Sequence, residues 1–101
     1  MASNFEVSQL IDCYGSLLSE KQYNIIYCYY NEDLSLSEIA ENEGITRQGV
    51  SDSVKRSERF LREAEEKLKI IKNTASLRAF AETVSENETK SRLLALIDEL
   101  Y

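Results

Sequence analysis

The chain has 101 residues, which is the size of one compact domain with a modest core. Its composition is that of an ordinary globular protein, with 43% hydrophobic and 30% charged residues. Because the chain contains no His, a His-dependent catalytic triad and a His-ligated zinc site are excluded. The formal net charge of −6 argues against a protein that binds nucleic acid through its overall charge.

The charges are unevenly distributed along the chain. Residues 1–45 carry one Lys against eight acidic residues, whereas residues 46–72 carry eight Lys and Arg against five acidic residues. Any electrostatic contact with a polyanion is therefore expected in the segment 46–72.

The two cysteines, Cys13 and Cys28, lie fifteen residues apart in apolar runs, which is not the spacing of metal ligands. We expect them to pack as small apolar residues in a reducing compartment, and we expect neither a cofactor nor a metal. The N-terminus lacks a basic region followed by an apolar run, and no apolar stretch approaches the ~20 residues of a membrane span. These features predict a cytoplasmic protein without a membrane span.

The first two predicted helices lie in the acidic third. Residues 4–18 place apolar side chains three and four positions apart, which predicts an amphipathic helix. Ser19 and Gln22 have the spacing of a capping box, which predicts a second helix and outweighs the competing strand assignment. That helix carries four tyrosines that could form a platform for single-stranded nucleic acid, at positions 23, 27, 29 and 30. Since Lys21 is the only cation in residues 1–45, we expect these rings to pack in the core instead.

A second capping box, Ser35 with Glu38, follows the polar break at 31–33 and predicts a short helix from Leu36 to about Asn42. Gly44 stands where a helix ends and the backbone turns with positive φ. Thr46 is placed to cap the next helix, which is predicted to run from Arg47 to about Lys72.

These features together predict a helix-turn-helix. Small Ala40 lets the two helices approach, Ile45 fills the space between them, and Val50 and Val54 anchor the second helix to the core. The predicted DNA-binding residues are those at the N-terminus and on the exposed face of the second helix: Thr46, Arg47, Gln48, Ser51, Asp52, Lys55, Arg56 and Arg59.

The chemistry of these residues divides between bases and phosphates. Arg pairs with guanine and Gln with adenine in the major groove, so Arg47 and Gln48 are the expected base readers. Lys55, Arg56 and Arg59 lie further along the helix, and Arg62 follows them, where cations suit phosphates. Two residues depart from the expected pattern, namely Gly49 inside the recognition helix and Asp52, whose charge repels phosphates.

The stretch from Leu18 to Phe60 resembles region 4 of sigma factors. The resemblance is carried by Leu-Ser-x-x-Gln at 18–22, Leu-Ser-x-Ser-Glu-Ile-Ala at 34–40 and Gly-Ile-Thr-Arg-Gln-x-Val at 44–50. Across nearly its full length the chain resembles the YlxM family, short helix-turn-helix proteins of Gram-positive bacteria. Their genes commonly neighbour that of the signal recognition particle GTPase. The resemblance implies an all-α, sigma region 4-like fold without a wing, and a regulatory role in that pathway.

The long predicted helix also carries an apolar seam at spacings of three and four, typical of a coiled coil. Its members are Val50, Val54, Ser57, Leu61, Ala64, Leu68 and Ile71. The seam serves either to pack the chain's own helices or to form a homodimer through residues 46–72 and the C-terminal helices. Two weaker helical patterns follow, one with Leu77, Ala81 and Val84, the other with Leu93, Leu94, Ile97 and Leu100.

We therefore predict one all-helical domain, 1–101, with a helix-turn-helix core at 18–60 and a C-terminal helical extension at 73–101. The favoured function is a DNA-binding regulator of, or within, the signal recognition particle pathway. The alternative is an accessory protein that binds no DNA and contacts the protein or RNA of the particle through Lys55, Arg59 and Arg62. We do not expect an enzyme, because the sequence has no glycine-rich phosphate loop and no carboxylate cluster beside a nucleophile.

Overall fold

The computed structural model describes residues 4–101, so the first three residues of the predicted domain lie outside the described part. Six α-helices and one 3-10 turn follow one another, and residues 4–101 contain no strand. The elements are α1 (Asn4–Tyr14), the 3-10 turn (Gly15–Leu17), α2 (Glu20–Tyr30), α3 (Leu36–Glu43), α4 (Arg47–Leu68), α5 (Ile70–Ala81) and α6 (Asn87–Asp98). The all-α fold class is confirmed, and the competing strand assignment for α2 is wrong.

The first helix ends earlier than its apolar pattern predicts. The pattern extends to Leu18, but α1 stops at Tyr14 and the 3-10 turn leaves Leu17 exposed. Gly15 lies against the ring of Tyr23, where a Cβ would come within 2.7 Å of the ring. The chain must therefore turn at this contact so that α2 can cross α1.

Two adjoining apolar clusters hold the first four helices together. One is formed by α1, α2 and α4 around Tyr14, Ile26 and Leu61, and the other by α2, α3 and α4 around Ile39 and Val50. The four tyrosines of α2 are half-buried and pack against these clusters, as predicted. Tyr23 and Tyr27 stack on each other, with their ring centroids 5.7 Å apart.

The first half of the predicted seam serves this internal core. Val50, Val54, Ser57 and Leu61 are buried, whereas Leu68 is 55% exposed because α4 continues past the helices that cover it. The first half of the seam therefore packs within the protomer, and a homodimer through its second half stays a prediction. The two cysteines, Cys13 and Cys28, are half-buried free thiols. Burial raises the pKa of both thiols.

The long helix is shorter than predicted, since α4 ends at Leu68 and not near Lys72. Lys69 takes a left-handed conformation, with φ of 56°, and α5 begins at once. The Glu65 carboxylate accepts hydrogen bonds from the backbone N–H groups of Ile71 and Lys72, each at 3.0 Å. It thus satisfies donors at the start of α5 that a continuous helix would have bonded internally. Ile71 consequently belongs to α5 rather than to the seam of α4.

The last two helices form an antiparallel hairpin at one end of the molecule, which measures 55 × 23 × 23 Å. Arg78 pairs with Asp98 at 2.7 Å and Lys90 pairs with Glu82 at 3.1 Å, so two ion pairs join its arms. The predicted start of the C-terminal extension, residue 73, lies within α5. None of the helices described is long and apolar enough to cross a membrane.

Candidate nucleic-acid interface

The turn between α3 and α4 has the geometry that the sequence predicts. The Ser35 side chain caps α3 and forms a reciprocal pair with Glu38. At the other end of α3, Gly44 takes a φ of 68°, which an L side chain rarely adopts. The N–H of Ile45 then donates to the carbonyl of Ala40 at 3.1 Å and closes the turn.

The orientation of α4 is set by its first turn and its buried side. The Thr46 hydroxyl accepts a hydrogen bond from the N–H of Gly49 at 3.0 Å, so Thr46 caps the helix as predicted. Val50 and Val54 are buried in the second apolar cluster, and Ile45 packs against it. Gly49 lies in the first turn rather than in the helix interior, where glycine would be more costly.

The residues predicted to contact DNA share the solvent side of α4. Seven of them are exposed, while Ser51 is half-buried beside the groove described below: Thr46, Arg47, Gln48, Asp52, Lys55, Arg56 and Arg59. They extend over the first 13 residues of α4 and its cap, about 20 Å at ~1.5 Å per residue. The described structure therefore brings all eight predicted residues onto one continuous surface.

One pair on this surface is already joined. The Gln48 side-chain amide donates to the Asp52 carboxylate at 2.9 Å, one helical turn away. This contact partly satisfies the Asp52 carboxylate, and it orients the Gln48 amide in the absence of a ligand. The carboxylate is nevertheless a negative charge on the exposed face, and a DNA phosphate nearby would be repelled by it.

The cations of α4 fall into two groups. Within residues 4–101, no ion pair involves Arg47, Lys55, Arg56 or Arg59, so their charges are available to a ligand. The guanidinium of Arg62 instead bonds to Glu6 at 3.0 Å and Glu58 at 3.2 Å. These contacts raise its pKa, with the bond to Glu6 the largest cause. Arg62 thus joins α1 to α4 and is less available for phosphates than the sequence suggests.

A groove of about 400 Å³ beside the exposed face was not predicted from the sequence. Tyr29 and Leu36 form one wall, and Ser51, Lys55 and Arg59 contribute from α4. Glu58 accepts a hydrogen bond from the Tyr30 hydroxyl at 2.5 Å, and this bond fixes the ring of Tyr30. The sequence predicts that the tyrosines pack in the core because no cluster of cations lies near them in the chain, yet Tyr29 lines the same groove as Lys55 and Arg59 of a distant segment. Their separation along the chain leaves no local signal of this contact.

Comparison with known proteins supports the helix-turn-helix assignment. The family described as "Putative helix-turn-helix protein, YlxM / p13 like" (UPF0122) matches residues 1–100. A UPF0122 protein of Clostridium perfringens is 53% identical over 72 residues, which cover 71% of this chain and 64% of that protein's length. A relative in Clostridium kluyveri is 39% identical over 101 residues, covering 100% of this chain and 83% of its own. A UPF0122 protein of Halalkalibacterium halodurans is 41% identical over 98 residues, which cover 93% of this chain and 90% of that protein's length. The chain therefore belongs to the UPF0122, YlxM-like family of helix-turn-helix proteins.

Proposed function

We propose that this protein is a DNA-binding regulatory protein that inserts the N-terminal half of α4 into the major groove of duplex DNA. The observation that carries the proposal is the set of cations on the exposed side of α4 that make no ion pair within residues 4–101, next to a turn with helix-turn-helix geometry. Arg47 and Gln48, in the first turn, are assigned to base edges, and Lys55, Arg56 and Arg59 to phosphates.

The proposal describes a protein that binds and does not catalyse. The side chains that meet at this surface are cations, an amide, a carboxylate already bonded to that amide, and the hydroxyls of Thr46 and Ser51, of which Thr46 is engaged as the cap of α4. Such groups are those that recognise base edges and phosphates, which supports a role in binding.

Two-fold symmetry is part of the proposal. Helix-turn-helix proteins commonly read pseudo-palindromic sites as dimers, with one recognition helix in each half-site. A homodimer is therefore the proposed DNA-binding form. A place in the signal recognition particle pathway is the setting that the family resemblance suggests for such a regulator.

The test is a titration of the full chain against random-sequence duplex DNA at low and moderate salt. Binding that weakens steeply with salt is expected, because each neutralised phosphate releases condensed counterions. The double variant Arg47→Ala/Lys55→Ala should lose most of this binding. The matched control Lys21→Ala/Lys67→Ala removes two charges outside the proposed surface and should bind like the unaltered protein.

Failure to bind duplex DNA even at low salt would overturn the proposal. The same cationic surface would then favour the alternative, an accessory protein that contacts the protein or RNA of the signal recognition particle. The net charge of −6 and the exposed Asp52 carboxylate are the observations that keep this alternative in the test. Retained binding in the double variant would show that DNA contacts a different surface.

A further inference from the structure

The α5–α6 hairpin is poorly buried for a pair of amphipathic helices. Of the 24 residues in its two helices, only Thr74, Ala81 and Ile97 are buried. Large apolar side chains point away from the protein instead, and Leu77, Phe80, Leu96 and Leu100 are 43, 65, 59 and 48% exposed. Two short helices with so little buried surface are not expected to be stable without further packing.

The apolar pattern of the hairpin is wider than a two-helix contact requires. In α5 and the residues after it, Thr74, Leu77, Ala81 and Val84 follow one another at spacings of three and four. In α6 and the residues after it, Leu93, Ile97 and Leu100 do the same. Phe80 and Leu96 each add a neighbouring apolar position to these seams. Such a three-in-seven apolar face is typical of helices in a four-helix bundle, whereas a simple pair needs two in seven.

The amount of exposed apolar surface fits a contact with a protein. If a fully exposed side chain of this size presents about 200 Å², the four exposed residues leave roughly 400 Å² uncovered. Each partner in a stable interface buries about 800 Å², of which roughly 60% is apolar. These four side chains would therefore supply most of the apolar area that one protomer contributes to a dimer.

The charges of the hairpin favour a second copy of the same chain as its occupant. From Asn73 to Ala81 the only charged residue is Arg78, and its guanidinium is already held by Asp98. Lys90 is likewise held by Glu82. A two-fold contact places identical surfaces against each other, which favours the apolar positions of α5. In α6 the exposed Glu88 and Arg92 lie one turn apart and make no ion pair within residues 4–101, and because their charges are opposite, a two-fold contact can pair Glu88 of one protomer with Arg92 of the other.

We propose that the α5–α6 hairpins of two protomers pack together as a four-helix bundle and that this bundle is the dimer interface. The first half of the α4 seam takes no part, because its Val50, Val54 and Leu61 are buried within one protomer. The dimer itself does not require DNA binding, but its use in reading a two-fold site rests on the proposed function.

Sedimentation analysis of the full chain tests the proposal. The unaltered protein should sediment at twice its 11.6 kDa chain mass and dissociate only on dilution. Phe80→Glu/Leu96→Glu would bury four charges in the bundle, and we expect dimer affinity to fall by more than about 100-fold. Phe5→Glu/Leu17→Glu is the matched control, because both residues are exposed apolar positions outside the hairpin.

Because the Phe80→Glu/Leu96→Glu variant could fail to fold, a second measurement uses the unaltered protein alone. In the unaltered protein, amide hydrogen exchange in α5 and α6 should slow as concentration rises through the dimer range, while exchange in α3 stays constant. An unaltered protein that remains monomeric at all concentrations would overturn the proposal, as would a control variant that dissociates as readily as the hairpin variant.

Failure of this inference and failure of the proposed function give different results. A dimer that depends on the hairpin but binds no duplex DNA supports the interface and overturns the DNA proposal. A monomer that binds DNA in a salt-dependent and Arg47-dependent manner overturns the interface and the two-fold reading of DNA, but it supports the assignment of α4 as the DNA-binding surface.

Discussion

The hydroxyl of Tyr14 donates a hydrogen bond of 2.5 Å to the carboxylate of Glu65, although 51 residues separate them. The same hydroxyl accepts a hydrogen bond from the N–H of Ile70 at 3.1 Å. A side chain at the end of α1 therefore fixes the junction at which α4 ends and α5 begins. The position of the C-terminal hairpin relative to the helix-turn-helix depends on this junction.

We expect Tyr14→Phe to lower the free energy of unfolding by about 1–3 kcal/mol, because it leaves the Ile70 N–H and part of the Glu65 carboxylate unsatisfied. Urea denaturation provides the measurement. Tyr27→Phe is the control, because the Tyr27 ring is half-buried but its hydroxyl makes no hydrogen bond within residues 4–101. Equal losses in the two variants would mean that the junction does not depend on the Tyr14 hydroxyl.

The Glu65 carboxylate should give stability a specific dependence on pH. Burial by itself would raise its pKa, but hydrogen bonds from Tyr14, Ile71 and Lys72 outweigh burial and hold the pKa below its ordinary value of 4.5. A folded pKa below the unfolded one means that the contribution is complete above pH 4.5. It is lost as the pH falls through the lower, folded value.

Glu65→Gln should therefore be less stable than the unaltered protein at pH 7, and the difference should shrink as the pH is lowered below about 4.5. Urea titrations at a series of pH values measure both quantities. Glu66→Gln, an exposed neighbour, should show neither effect. A stability difference for Glu65→Gln that is constant with pH would contradict the assigned role of the charge.

The start and end of the long helix illustrate what sequence patterns reveal. Caps and turns are local, so Ser19, Ser35, Gly44 and Thr46 were assigned correctly from a few neighbouring residues. The end of α4 has no local signal, because Lys69 is not a residue that usually adopts positive φ. It depends on Tyr14, which is distant in sequence. The candidate site divides in the same way: its α4 residues follow from helical spacing, whereas Tyr29 joins the groove only through packing.

The seam of α4 provides a direct comparison of two leucines that occupy equivalent positions. Leu61 is fully buried and Leu68, seven residues later, is 55% exposed. Leu61→Ala should cost about 2–5 kcal/mol, the usual loss for a buried leucine. Leu68→Ala should cost less than about 0.5 kcal/mol. Thermal unfolding measures both, and a large loss for Leu68→Ala would indicate that the seam continues into an interface.

Ser57 is a polar residue in the seam of α4, whose other positions are apolar. Its hydroxyl is buried and has no hydrogen-bond partner among the described residues. We expect Ser57→Ala to raise the free energy of unfolding by about 1 kcal/mol, since it removes an unsatisfied polar group and introduces a better helix former. Ser53→Ala, one turn earlier and half-buried, should gain only about 0.5 kcal/mol from helix propensity. Destabilisation by Ser57→Ala would show that the hydroxyl has a partner.

The two arginines near the middle of α4 should behave differently on DNA. Arg59 makes no ion pair among residues 4–101, whereas Arg62 is held by Glu6 and Glu58. If the proposed function holds, Arg59→Ala should weaken binding to all sequences alike and reduce the slope of log affinity against log salt by about 1. Arg62→Ala should leave that slope unchanged and lower stability instead, because it breaks the contact between α1 and α4. Titrations at several salt concentrations, combined with thermal unfolding, separate the two effects. A reduced salt slope in Arg62→Ala would mean that its guanidinium leaves Glu6 and Glu58 when DNA binds.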